Sequence, residues 1–169
     1  RGIVNVRAGS GAYVSEQPFN FQLADEAIDW LLRRKGALVQ LLEVREILEG
    51  FAASLLSQRL DEQILAQLKD NLQRRTQAIN AQEPDANEIG EIDIQFHELI
   101  ADACGNQVVK EFICAITTRM TTSNCAMITL STKKITSFHD HSKILEAIES
   151  KDSVLAEQMM RAHIAEIRE

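Results

Sequence analysis

The segment SFHDHSKILEAIESKDSVLAEQMMRAHIAEI, residues 137–167, reads as two helices folded back on one another. Phe138, His141, Leu145 and Ile148 recur at spacings of three and four, which marks one face of a helix. Glu149-Ser150-Lys151 makes a tight turn, and Asp152 is placed to cap the helix that follows. On that helix His163 shares an arc with Leu155, Ala156, Met159 and Ile167. Each apolar face therefore contains a histidine. His141 lies about nine residues before Ser150 and His163 about thirteen after it, so at about 1.5 Å per residue their levels differ by roughly one turn. His139 projects about 100° away from Phe138, toward the polar side, which leaves His141 as the inward imidazole.

Working toward the N-terminus, the same periodicity continues. Asn106 opens a helix running to about Leu130, and Pro84-Asp85 opens one ending near Cys104-Gly105. Asp61 caps another that extends to about Ala81, and residues 38–58 place Leu41, Val44, Leu48, Phe51, Ala52 and Leu55 on one side. Residues 22–34 form a shorter amphipathic stretch. With short connections between successive helices, the expected fold is all-α: an antiparallel bundle of about six to seven helices. The chain's 169 residues suffice for one such core.

The opening differs. Residues 2–7 alternate like a strand, Ala8 to Gly11 form a turn, and Ala12-Tyr13-Val14 can return. A two-stranded hairpin is marginal by itself, so residues 1–14 read as the end of another domain. Residues 15–36 are then linker and first helix, and 37–169 the main domain.

Composition narrows the function. A net charge of −7 gives the chain no general attraction for phosphate backbones. No segment approaches the roughly 18 apolar residues of a membrane span and no secretory signal opens the chain. The three cysteines, Cys104, Cys114 and Cys125, fall in helical stretches without metal-type pairing, which fits a reducing, cytoplasmic setting.

Asp93 and His97 are four apart, one turn along the same face, beside the stripe of Ile92, Phe96, Leu99 and Ala103. If this helix lies against the C-terminal hairpin, Asp93, His97, His141 and His163 converge inside the bundle. Taken singly, each histidine is ordinarily a satisfied core residue. As a set in one apolar interior they would be costly without a shared partner, and a divalent cation satisfies all of them. Three nitrogens and one oxygen suit zinc foremost, and also nickel, cobalt, manganese or iron. Arg45 lies in the arc of Leu41, Leu48, Ala52 and Leu55. It is either half of a buried pair with Glu49, Glu43 or another carboxylate across the bundle, or a guanidinium aimed at a small carboxylate.

Together these residues resemble a known family. Glu43-Val-Arg45 through Glu49 to Ala52-Ala53 is similar to the E-x-R-x-x-x-E-x-x-A-A opening of the FCD effector domain of FadR-type GntR regulators. Asp93 to His97 resembles its D-x-x-F-H block, and Gly105-Asn106 the G-N that follows. His141 to Ile148 and Asp152 to His163 resemble its two closing blocks. The resemblance implies that Asp93, His97, His141 and His163 ligate a divalent ion. That ion helps bind a small organic acid, and acid binding alters how a homodimer holds operator DNA. Arg45 becomes the acid's second anchor. Asn106 becomes either a helix cap or an effector contact. Residues 1–14 resemble the wing of a winged helix-turn-helix, with Arg7, Gly9 and Gly11 at its DNA-facing tip. The rival readings are a metal-dependent hydrolase, for which neither Glu98 nor Glu146 shares a face with the ligands, and a metal-free helical dimerisation module.

Overall fold

The computed structural model describes residues 4–7, 9–14, 28, 36–122 and 137–168. Strands β1 (Val4–Arg7) and β2 (Gly11–Val14) pair antiparallel, with Val4 opposite Val14 and Arg7 opposite Gly11. Among the described residues six helices follow: α1 (Ala37–Ser57), α2 (Glu62–Ile79), α3 (Ala86–Ala103), α4 (Gln107–Thr122), α5 (Ser137–Glu149) and α6 (Ser153–Arg168). The all-α expectation with an N-terminal hairpin is met. The stretch 22–34, apart from the helical and buried Ile28, lies outside the described residues, as do Cys125 and the side chain of His139.

The helix starts follow local chemistry. Asp61 Oδ1 accepts from the Ile64 N–H at 2.8 Å, Asp85 Oδ1 from Asn87 at 2.8 Å, and Asp152 Oδ1 from Leu155 at 2.9 Å. Asn106 Oδ1 accepts from both Val108 and Val109, at 3.1 and 3.2 Å. Each such cap contributes about 1 kcal/mol. The turn between α5 and α6 passes through Lys151 at φ 61°, a left-handed residue that reverses the chain.

The apolar core joins Leu41, Leu42, Ala52, Ala53 and Leu56 of α1 to Phe96, Ile100 and Ala101 of α3. Ile113 and Ile116 of α4, Ile144 and Ile148 of α5, and Ala156, Met160 and Ile164 of α6 complete it. Helices α2 and α3, α3 and α4, and α5 and α6 pack as sequential neighbours, as short connections imply. α1 departs from that rule. It packs most extensively along α6, from the far end of the chain, and also touches α3, α4 and α5, while α2 packs on α3 and α5. Gly50 permits the α1–α6 approach, since a Cβ there would lie 2.6 Å from Arg161 Cγ.

One expected stripe is corrected. On α1 Val44 and Phe51 are 43% and 44% exposed, whereas Arg45 and Glu49 are buried. Two apolar arcs overlap on this helix, and the buried one is rich in small residues and contains the charged pair. On α6 the buried arc is likewise Ala156, Met160, His163 and Ile164, with Leu155 38% exposed.

α3 ends at Gly105, whose φ of 76° is left-handed, and Arg59 Nη1 donates to the freed Cys104 carbonyl at 3.1 Å. A Cβ on Gly105 would stand 1.9 Å from that same guanidinium nitrogen. Gly105→Ala should therefore lower unfolding stability by about 1–2 kcal/mol, from the left-handed backbone alone, with a further loss as Arg59 is displaced. Urea denaturation giving an unchanged midpoint would refute this account of the α3 terminus.

Candidate functional site

Three helices deliver one imidazole each to the centre of the bundle. His97 (α3), His141 (α5) and His163 (α6) are all buried, and one ring nitrogen from each lies within 4.8 Å of the others. His141 Nε2 and His163 Nε2 are 3.2 Å apart. The His97 and His163 rings stack at 5.3 Å, and His141 meets each of them edge-on. Phe96 forms the wall behind His141, its ring 4.1 Å away and 11° from parallel. The aromatic residue next to His97 thus supports a different histidine from its sequence neighbour.

Asp93, one turn before His97, places Oδ1 3.6 Å from His141 Nε2. It approaches His141 without joining the group that closes within 4.8 Å. The same oxygen accepts from Arg75 Nη2 at 2.9 Å. Arg75 is 2% exposed on α2, and sequence reasoning missed it. A signal was present, because Leu68, Asn71, Arg75 and Ala78 recur at helical spacing and are the buried residues of α2. Asn71 Nδ2 donates to the Ile92 carbonyl at 3.0 Å, which ties that arc to α3.

On the opposite side Arg45 Nε donates to Glu49 Oε1 at 2.5 Å, so the Glu49 pairing weighed from the sequence is present. Sequence reasoning did not find Glu49's other contact, with Oε2 2.5 Å from His97 Nδ1. The two atoms are in close ion-pair contact without the geometry of a formed hydrogen bond, and a proton on Nδ1 is what makes so close an approach to a carboxylate oxygen favourable. Burial would by itself raise the Glu49 pKa, but Arg45 and His97 outweigh it and hold the carboxyl well below the usual range. Asn106 is engaged as the cap of α4. Gly9 and Gly11 lie exposed at the turn of the β1–β2 hairpin, with Arg7 opposite Gly11. A separate hollow of about 570 Å³ between α2 and α3, lined in part by Asp70, Arg74, Gln95 and Glu98, includes none of the candidate site residues.

The donor set fits a divalent ion. His97 Nε2 and His141 Nδ1 are buried with no hydrogen-bond partner among the described residues. A tetrahedral zinc with bonds of about 2.05 Å separates neighbouring nitrogens by about 3.3 Å, and the His141–His163 spacing is 3.2 Å. Cys104 is buried and Cys114 partly so, its thiol pushed up to about 11 by burial and then by Glu98 and Asp102, which suits inert core thiols.

His141 is held well below the usual histidine range, first by burial and then by the charges of His163, His97 and Arg75. An unfolded histidine titrates near ~6.5. Below that value, and down to the folded pKa, the unfolded chain binds a proton that the folded chain refuses, so stability falls as pH drops. Glu49's contribution is present above the unfolded carboxylate pKa, near ~4.3, and is lost only at lower pH. The metal-free protein should therefore unfold at lower urea at about pH 5.5 than at about pH 7.5. Part of that difference should disappear in His141→Gln. A midpoint flat across this interval would contradict a buried neutral His141.

Residues 40–166 match the FCD domain family. The chain is 30% identical over 174 residues to the HTH-type transcriptional regulator LutR of Bacillus subtilis (strain 168), covering 99% of this chain and 77% of that protein. It is 26% identical over 175 residues to the Uxu operon transcriptional regulator of Escherichia coli (strain K12), covering 100% of this chain and 66% of the relative. Among solved structures, Streptococcus agalactiae GntR superposes with a TM-score of 0.65 at 27% identity, covering 99% of this chain and 75% of that one. E. coli McbR/YncC, with a TM-score of 0.64 at 19% identity and covering 98% and 69%, shares the fold. With its helical bundle and the family match over 40–166, this chain belongs to the GntR-family transcription regulators that carry an FCD domain.

Proposed function

We propose that the chain is the effector-sensing part of its regulator, holding a divalent ion through His97, His141 and His163 with Asp93, and through that ion a small organic acid. The observation that carries this reading is the set of three buried imidazoles within 4.8 Å, with His97 Nε2 lacking any protein partner among the described residues. Zinc is the first candidate, with nickel, manganese, cobalt or iron compatible with the same donors. The ion supplies a positive, coordinating centre for a carboxylate. Asp93 would complete the ligand set by sharing itself between the ion and Arg75.

Arg45 remains the acid's candidate second anchor. A guanidinium carries five N–H groups, and Arg45 commits Nε to Glu49, which keeps the planar group oriented. Asn106 is assigned to helix capping ahead of an effector contact.

A hydrolytic role finds less support. Both carboxylates that touch the cluster are bound by arginines, Glu49 by Arg45 and Asp93 by Arg75, which leaves neither as a ready base for a water molecule. The relatives are transcription regulators.

The coupling we infer is differential binding. Ion and acid together draw α1, α3, α5 and α6 toward one arrangement, and that arrangement biases an attached winged-helix domain on operator DNA. The β1–β2 hairpin, with Arg7, Gly9 and Gly11, is assigned to the wing of that domain. A second copy of the chain is the proposed partner, and the half-exposed apolar stripe of Val44, Ile47 and Phe51 on α1 is compatible with a homodimer. No helix among the described residues is long and apolar enough to cross a membrane.

His163→Ala should bind markedly less metal than the parent protein by elemental analysis after dialysis, and equal content in the two would sink the site. In the metal-loaded protein, a small carboxylate at about 100 times its Kd adds about 2.7 kcal/mol and should raise the Tm by several degrees. A panel of 2-hydroxy, 2-oxo and dicarboxylic acids that leaves the Tm unmoved would remove the support for an acid sensor.

A further inference from the structure

We propose that Glu49 is a positioning residue of the metal centre: clamped by Arg45, its carboxylate fixes His97 in the tautomer that presents Nε2 to the ion. The inference rests on the metal-sensing reading above and extends it to a residue outside the ligand set.

Glu49 is 1% exposed and stands on α1, whereas the histidine it touches is on α3. Its two oxygens face two different donors, Oε1 toward Arg45 Nε and Oε2 toward His97 Nδ1, each at 2.5 Å. Arginine is always charged and can only donate, so the carboxylate that it holds meets His97 as an acceptor. A neutral imidazole has one N–H and one lone pair. With the proton on Nδ1, the lone pair falls on Nε2, the buried atom that has no protein partner among the described residues. The opposite tautomer would set a nitrogen lone pair against a carboxylate oxygen at 2.5 Å and bury an unpaired N–H on Nε2. Both consequences are unfavourable.

Second, the clamp has a direction. Arg45 precedes Glu49 by one helical turn, so the two stay in register on α1. The resulting chain runs from Arg45 through Glu49 to His97 and joins α1 to α3 at the site. Occupation of Nε2 is thereby felt at Arg45 through one shared carboxylate. Carboxylates that orient ligand histidines in this way commonly set metal affinity.

Glu49→Gln separates this role from simple packing, because it retains nearly the same shape. An amide has one acceptor end and one donor end. If its oxygen faces Arg45, its NH₂ meets Nδ1 and favours the Nε2–H tautomer, which cannot ligate through Nε2. If it turns over, two donors face each other at Arg45.

The test uses ¹⁵N NMR of the histidine rings in the metal-free chain, together with Zn²⁺ affinity measured by chelator competition in acid-free buffer. The parent should show His97 protonated at Nδ1. E49Q should shift His97 toward Nε2–H and weaken Zn²⁺ binding by about 10–100-fold. Arg45→Met should also weaken Zn²⁺ binding with no acid present, which a role confined to anchoring the acid does not require. An Nε2–H tautomer in the metal-free parent overturns the proposal, and this measurement decides even if E49Q fails to fold. A folded E49Q with the parent's tautomer and the parent's Zn²⁺ affinity also overturns it. A parent that takes up no Zn²⁺ at all overturns the metal reading and the proposal with it, whereas uptake by the parent with no effect of E49Q overturns the proposal alone.

Discussion

Three imidazoles, two carboxylates and two guanidinium groups share the interior of a bundle otherwise filled with Ile, Leu, Ala and Met, and the arrangement of that polar centre constrains every helix around it. Polar groups removed from water are tolerable only when each finds a partner. The solution pairs Arg45 with Glu49 and Arg75 with Asp93, one pair on each side of the histidines. A positive charge beside an imidazole favours its neutral form, and Arg75 in this way adds to the burial that keeps His141 neutral. Among the described residues, the buried ring nitrogens His97 Nε2 and His141 Nδ1 have no hydrogen-bond partner.

The helix arrangement serves that centre. Bringing Arg45 and Glu49 inward turns α1 so that Val44 and Phe51 face outward, although both are more apolar than the residues buried in their place. Apolar residues lie on both arcs of α1, so hydrophobicity alone does not choose between the two rotations. Small residues on the buried side (Ala52, Ala53 and Gly50) let α1 lie close to α6 and put Glu49 within reach of His97. α2, joined to α1 by a short connection, instead packs on α3 and α5, from where Arg75 reaches Asp93. α1 and α2, adjacent in sequence, thus bring Arg45 and Arg75 to the centre from two different packing positions.

The same geometry suits a sensor better than a catalyst. A catalytic water needs a base free to take its proton, whereas here the contacting carboxylates are already bound by arginine. A sensor needs a binding event that changes the relative energy of two helix arrangements. A centre assembled from α1, α2, α3, α5 and α6 meets that need, since its side chains come from nearly every described helix of the bundle.

Much of this was legible without coordinates. Periodicity and capping residues placed α2, α3, α5 and α6, because Asp61, Asp85 and Asp152 act on backbone N–H groups only two or three residues away. Helical spacing put His97 beside one apolar face and His141 and His163 within two others, and the count from the turn at Ser150 set those two at similar levels. The convergence of the three histidines was therefore readable from local information. The pairing of Arg75 with Asp93, the contact of Glu49 with His97, the stacking of Phe96 on His141 and the packing of α1 on α6 were not. Periodicity reports which face of a helix is buried, but a charge pair or a ring contact forms across space between residues whose separation in sequence carries no signal. Where apolar arcs overlap, as on α1, the choice between them belongs to the tertiary structure, because only the assembled interior supplies His97 as a partner for Glu49.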